Sequence, residues 1–101
     1  MKYEVKFPTN TLAKRFEKAL SGISHKELQT EIKEKTLALG DDPRPHGELK
    51  IKPPVEVYSY TAQYRLRIGN YRVLYDVDDK RKIVWIFALR KGNERTYNGR
   101  H

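Results

Sequence analysis

Two runs of alternating residues, Tyr64-Arg-Leu-Arg-Ile68 and Tyr71-Arg-Val-Leu-Tyr-Asp-Val77, meet at the dipeptide Gly69-Asn70. A two-residue loop of this chemistry suits a primed hairpin turn, whose twist matches that of the strands it joins. Such a loop fixes the register. Ile68 lies opposite Tyr71, Arg67 opposite Arg72, Leu66 opposite Val73, Arg65 opposite Leu74 and Tyr64 opposite Tyr75. Strand side chains alternate between faces, so Tyr64, Leu66, Ile68, Tyr71, Val73, Tyr75 and Val77 share a face that must be covered. Arg65, Arg67 and Arg72 share the other. Like charges set opposite one another destabilise a sheet. A single arginine there would need no more explanation than its long apolar stem, and Asp76 on the same face can neutralise one charge. Three arginines with no lysine among them favour phosphate, which guanidinium grips bidentately without ever losing its charge.

The cover comes from the N-terminal half. Lys2 to Phe7 alternates polar and apolar residues, a half-buried strand ended by Pro8. Thr9 or Asn10 can cap a helix whose apolar positions, Leu12, Phe16, Ala19, Leu20 and Ile23, recur at spacings of three and four. Ser21-Gly22 closes it. Ser24 and Glu27 fit a capping box for a second helix that buries Leu28, Ile32 and Leu39 and stops at Gly40 as C′ residue. Asp41 to Gly47 is an irregular connection with two prolines. Beyond it, Pro53-Pro54 interrupts any strand begun at Leu49, and Val55 to Tyr60 reads as an extra edge strand or an extended loop. Ile83 to Leu89 is apolar on both faces, the mark of a central strand, and its lone Trp85 belongs in the core. The order β-α-α-β-β-β describes a small α+β single domain over residues 1–101, an antiparallel sheet with a helical hairpin packed on one face.

Charge narrows the partner. The 101 residues carry a net charge of +8, and residues 80–101 hold seven basic residues against Glu94 alone. Such asymmetry suits a polyanion, nucleic acid above all. Arg90, Lys91, Arg95, Tyr97 and Arg100 follow the central strand and can border the arginine face, and Tyr97 offers a stacking surface for an unstacked base. Residues 92–101 alternatively form a flexible basic tail. The chain has no cysteine, hence no disulfide and no thiolate site. No glycine-rich phosphate loop occurs. His25, His46 and His101 lack metal-ligand spacing; His25 and His46 read as surface residues, and a catalytic role for the terminal His101 would need an ordered tail. Asp76, Asp78 and Asp79 read as hairpin-turn chemistry. No long apolar run follows Met1-Lys2, so neither a signal peptide nor a membrane span is expected and the chain is expected in the cytoplasm.

Tyr64 to Tyr75, followed by Asp78-Asp79, an apolar strand and a basic end with Tyr97, resembles the RelE/ParE superfamily of toxins from type II toxin–antitoxin systems. Asp42-Pro-Arg-Pro-His-Gly-Glu-Leu-Lys50 resembles the segment that precedes this motif there. In the RelE-like branch the resemblance implies an endoribonuclease that cuts messenger RNA in the ribosomal decoding site. It uses no metal or other cofactor and gives a 2′,3′-cyclic phosphate. It implies a catalytic set of Arg65, Arg67, Arg72, Lys91 and Tyr97, with Arg72 holding phosphate and Tyr97 stacking on a base. Arg90, Arg95, Arg100 and Lys50 are the implied further RNA contacts. The implied partners are a cognate antitoxin, forming a toxin–antitoxin heterotetramer, and the ribosome with its messenger RNA. The chain departs from the branch in two ways. RelE-like enzymes carry lysines on the first hairpin strand, one a proposed general base, and arginine cannot give up its proton. Related nucleases carry a late histidine where Gly92 or Asn93 falls here. Two alternatives follow: a ParE-like inhibitor of DNA gyrase without nuclease chemistry, or a degenerate toxin that only binds RNA or antitoxin.

Overall fold

A computed structural model of the chain describes residues 2–47 and 50–92. Strand β1 (Glu4–Lys6) leads into helices α1 (Asn10–Ser21) and α2 (Lys26–Ala38). Five strands follow: β2 (Val55–Val57), β3 (Tyr60–Ala62), β4 (Tyr64–Ile68), β5 (Tyr71–Asp78) and β6 (Ile83–Lys91). Among the described residues no helix is long and apolar enough to cross a membrane.

Thr9 caps α1, its hydroxyl oxygen accepting the Leu12 N–H at 3.1 Å, which satisfies one of the orphan donors of the first turn. Leu12, Phe16 and Leu20 form the buried stripe. The capping box expected at Ser24 and Glu27 does not form. Helix α2 starts one residue later, with His25 at the N-cap and no side-chain cap, so the Ser24–Glu27 spacing no longer spans N-cap to N3. The Gln29 amide ties down the preceding turn instead, donating to the Ile23 carbonyl at 2.5 Å. Nor is Gly40 a left-handed C′ residue. Its carbonyl accepts the N–H groups of Lys2 and Tyr3 at 3.1 and 2.8 Å, fixing the entry to β1.

The main sheet has the order β1-β6-β5-β4. Its three hairpin-joined strands are antiparallel as expected, but β1 runs parallel to β6, with Val5 opposite Val84. No tight turn joins these two strands, and the long intervening chain supplies the crossover that parallel pairing requires. Every pair of the β4–β5 hairpin matches the register dictated by Gly69-Asn70. Gly69 has φ +59° and Asn70 does not share the left-handed conformation, the signature of a II′ turn. Tyr64, Leu66, Ile68, Val73 and Tyr75 are buried with Phe16, Leu20, Ile32, Leu39, Val84 and Ile86 between sheet and helices.

The opposite face is only partly open. Strands β2 and β3 pair as a hairpin. This resolves the edge-strand or loop alternative at Val55 to Tyr60. Val57 and Ala62, both fully buried, pack with Leu74, Phe87 and Leu12 in a second, smaller core. Tyr60 stacks on Phe87 with ring centroids 5.2 Å apart. This second cover explains why Ile83 to Leu89 is apolar on both faces. Trp85, expected in the core, is only half-buried at the edge of this cluster, with the Lys6 ammonium 5.9 Å from its ring.

The connection after α2 is pinned at several points. The Arg44 guanidinium donates to both Asp79 carboxylate oxygens at 3.2 and 2.7 Å and to the Tyr64 hydroxyl at 3.0 Å. The Tyr3 hydroxyl donates to Asp79 at 2.6 Å, and the Tyr75 hydroxyl to the Pro43 carbonyl at 2.8 Å. Asp79 is thus more than a turn residue. Hydrogen bonds from Arg44 and then Tyr3 hold its carboxyl down at about 2. A depressed carboxylate stabilises the fold above its unfolded titration range, near pH 4, and loses that contribution as pH falls through the folded value. Asp79→Asn is therefore expected to melt below the wild type at neutral pH. The gap should close as pH is lowered from about 4 to about 2; a constant gap across a thermal-melt series would refute the linkage.

Candidate RNA-binding site

One extra residue in β6 decides which cations meet on the arginine face. Tyr75 pairs with Ile86 but Leu74 pairs with Ala88, so Phe87 is inserted as a β-bulge. Phe87 and Ala88 both turn toward the small hairpin, and Leu89 returns to the helix side. A bulge reverses the facing of everything beyond it. Arg90 therefore lies opposite Arg72, and Lys91 opposite Tyr71. With Arg67 opposite Arg72 across the other interface, the sheet carries one rung of three arginines: Arg67, Arg72 and Arg90. Neighbouring strands lie about 4.8 Å apart, so the rung is about 10 Å wide.

These arginines are not equivalent. Arg67 and Arg90 are exposed, Arg65 is half-buried two residues along β4, and Arg72 is only 9% exposed. Arg72 lies beside a cavity of about 80 Å³ bounded by Arg67, Gly69, Asn70 and Gly92. Gly92 has no room for a side chain, because a Cβ there would stand 2.9 Å from Arg72 Nε and 3.1 Å from the Asn70 carbonyl. The Gly92 N–H donates to that carbonyl at 2.5 Å, locking the end of β6 over the hairpin turn. Gly92, one of the two positions where related nucleases carry a late histidine, is thus a backbone wall against which Arg72 lies; Asn93, the other, lies outside the described residues.

A larger cavity of about 420 Å³ adjoins the rung, lined by Arg65, Arg67, Lys50, Ile51 and His46. Burial, and then the charge of Arg67, push the Arg65 guanidinium below its ordinary value. It remains charged at any ordinary pH, a cation held partly out of water beside a second one. Among the described residues no carboxylate forms an ion pair with Arg65, Arg67 or Arg90. Asp76 shares the face, but the cations that act on it are Lys50 and Arg44, and burial pushes its carboxyl up.

His46, read from the sequence as a surface residue, is exposed yet lines this cavity. It occupies the third position of a turn closed by the Gly47 N–H donating to the Arg44 carbonyl at 3.0 Å. Pro45 at the second position and glycine at the fourth suit a type I turn, and Arg44 is the residue fixed by Asp79 and Tyr64. The signal for this was the spacing Arg-Pro-His-Gly, which encodes the turn but not what it faces. Of the expected site residues, the structure groups Arg65, Arg67, Arg72, Arg90 and Lys50. It sets Lys91 on the helix side. Arg95, Tyr97 and Arg100, with the rest of the tail beyond Gly92, lie outside the described residues.

The whole architecture has close counterparts among solved structures. The archaeal RelE–RelB complex from Pyrococcus horikoshii OT3 matches with a TM-score of 0.66 and 28% identity, covering 93% of this chain and 99% of that one. The intact E. coli RelBE toxin–antitoxin complex matches with a TM-score of 0.57 and 19% identity, over 91% and 99% of the two chains. The RelBE2 toxin–antitoxin complex of Mycobacterium tuberculosis matches with a TM-score of 0.56 and 23% identity, over 90% and 99%. The last two, at that identity, bear on the fold alone. No curated protein sequence matches. The model of the ParE toxin of type II toxin–antitoxin systems matches residues 10–96, and this chain accordingly belongs to that toxin family, within the RelE/ParE superfamily.

Proposed function

We propose that this toxin is a ribosome-dependent endoribonuclease that cuts messenger RNA in the decoding site and so stops translation. The arginine rung carries the reading. Three guanidinium groups on one rung, with Arg65 beside them, surround space suited to a phosphodiester, and among the described residues no carboxylate forms an ion pair with Arg65, Arg67 or Arg90. In the reaction the ribose 2′-oxygen forms a bond to the adjacent phosphorus. The bond from phosphorus to the 5′-oxygen breaks, leaving a 2′,3′-cyclic phosphate and a 5′-hydroxyl. Charge accumulates on the non-bridging oxygens, where fixed arginines stabilise it most, while the ribosome-bound strand supplies in-line alignment. No step calls for a metal.

The proton balance needs a group other than arginine. His46 meets that need: a neutral imidazole nitrogen can accept a proton, and its turn borders the cavity of Arg65 and Arg67. In this reading it takes the 2′-hydroxyl proton, and the 5′-oxygen is protonated from solvent. Arg90 rather than Lys91 is the late cation at the phosphate, because the Phe87 bulge sets Arg90 on the rung. Lys50, Arg95 and Arg100 hold flanking phosphates, and Tyr97 stacks on a base. A cognate antitoxin, in a heterotetramer with two copies of the toxin, covers the rung and keeps it inactive in the cytoplasm.

The family match favours a second reading, inhibition of DNA gyrase by a ParE-like binding protein. Mapping transcript ends after induction separates the two. New 5′-hydroxyl ends within translated codons, abolished by Arg72→Ala in a protein that still folds, are expected. DNA damage with intact transcripts would establish the gyrase reading.

Two further outcomes follow from the site. Arg67→Gln removes a like charge opposite Arg72, so it is expected to raise Tm by roughly 1–4 °C at low salt, less at high salt, while cutting cleavage at least tenfold. Unchanged cleavage would remove Arg67 from the site. Gly92→Ala displaces the Arg72 guanidinium and is expected to lose cleavage as severely as Arg72→Ala; full activity would mean that Arg72 placement is immaterial.

A further inference from the structure

The chain contains two hairpins of like geometry and fills the same position differently in each. In β4–β5 the first loop residue is Gly69, with φ +59°. In β2–β3, Val57 pairs with Tyr60, so Tyr58-Ser59 is the two-residue loop, and Tyr58 has φ +57°. A left-handed backbone is unfavourable for an ordinary L-residue and an outlier for a bulky one. Strain of this kind persists where surrounding structure holds it, and it concentrates at ligand sites.

Nothing about the fold requires an aromatic ring at this tip. Val57 and Ala62 anchor the hairpin and Tyr60 stacks inward on Phe87, whereas Tyr58 is 63% exposed. The ring is oriented all the same, with the Arg15 guanidinium 4.9 Å from its centroid. It stands between two cavities. One, of about 280 Å³, is lined by Thr9, Thr11, Arg15 and Ser59. The other, of about 150 Å³, brings Tyr58 and Arg15 together with Arg90. Arg90 is also the end of the arginine rung. A track of cations therefore runs from Arg67 through Arg72 and Arg90 to Arg15 and ends on an exposed, braced ring.

We propose that Tyr58, backed by Arg15, is a stacking platform for a base of the RNA strand whose phosphate lies on the Arg67–Arg72–Arg90 rung. The proposal rests on the nuclease reading for the identity of that strand. Cation and ring together are the recurrent means of holding single strands, and stacking tolerates any base because every base has a π-face. Arg15 and Arg90, which flank the ring, suit the phosphate backbone on either side of a stacked base. The ring acts by positioning, at a distance from the bond that breaks.

The test uses the whole protein with a transcript bound to ribosomes and carrying 2-aminopurine at successive positions around the decoding-site codon. Stacking on Tyr58 is expected to quench the fluorophore at one position. Tyr58→Ala and Tyr58→Gly should lose that quench and slow single-turnover cleavage about tenfold or more, whereas Tyr58→Phe restores both. Tyr58→Gly also relieves the backbone, so its Tm should equal or exceed the wild type. Quenching and cleavage retained in Tyr58→Gly overturn the proposal. So does a fall in Tm that parallels the loss, which marks a structural residue, or loss of antitoxin binding with cleavage intact, which marks a protein contact. A position-specific quench from wild-type protein that cuts no transcript supports the platform and overturns the nuclease reading.

Discussion

The β-bulge at Phe87 is the constraint on which both faces of this sheet depend. Without the inserted residue, Leu89 would lie opposite Arg72 and Lys91 would share its face. With it, Leu89 enters the main core and Arg90 joins the rung. Phe87 and Ala88 are freed to pack under the β2–β3 hairpin. One register shift thus divides β6 between two hydrophobic clusters and converts a pair of opposed arginines into a row of three. Bulges are common next to functional sites because they re-aim side chains at small cost to the ladder.

The row is held against its own repulsion. Two like charges about 4 Å apart repel by about 1 kcal/mol in open water and by several times that where the surroundings are partly dry. Arg72 is nearly buried and Arg65 half-buried, so screening by solvent is incomplete. The hydrophobic clusters on both sides of the sheet hold the strands in register despite it. A phosphate arriving on the rung gains the attraction of several cations without the entropic cost of gathering them, which is the physical content of preorganisation. The surplus charge in residues 80–101 acts at longer range. In the proposed function it draws the RNA toward the molecule, an effect that weakens with salt, while the rung holds the phosphate.

The β4–β5 hairpin was legible in full because a two-residue turn leaves a single register, and the alternating pattern then assigns both faces. The helix stripes were legible for the same reason of periodicity. The bulge was not, because Ile83 to Leu89 is apolar at every position and a one-residue shift leaves no trace in such a run. That is why the register alone puts Arg90 on the rung and Lys91 on the helix side. The parallel pairing of β1 involves residues at opposite ends of the chain, beyond the reach of any local signal. Tyr58 was hidden differently: no local rule places a tyrosine where a turn favours glycine, and the sequence around it reads as strand. The Ser24 capping box matched its motif, but tertiary packing around Gln29 and Ile23 set the helix start one residue later.

Membership of a toxin family does not choose between cutting RNA and holding a protein target, because one fold supports both. The choice lies in what stands beside the arginines. A face meant only to bind acidic surface needs cations and no group able to exchange protons. Here the segment that presents His46 is fixed far more firmly than a connecting loop requires. Arg44 is held by Asp79 and Tyr64, Pro43 by Tyr75, and Gly47 closes the turn. These bonds tie the loop to the first and last strands of the hairpin that carries Arg65, Arg67 and Arg72. Imidazole and arginines are thereby carried on one rigid frame. That coupling is what the proposed proton transfer at a held phosphate calls for.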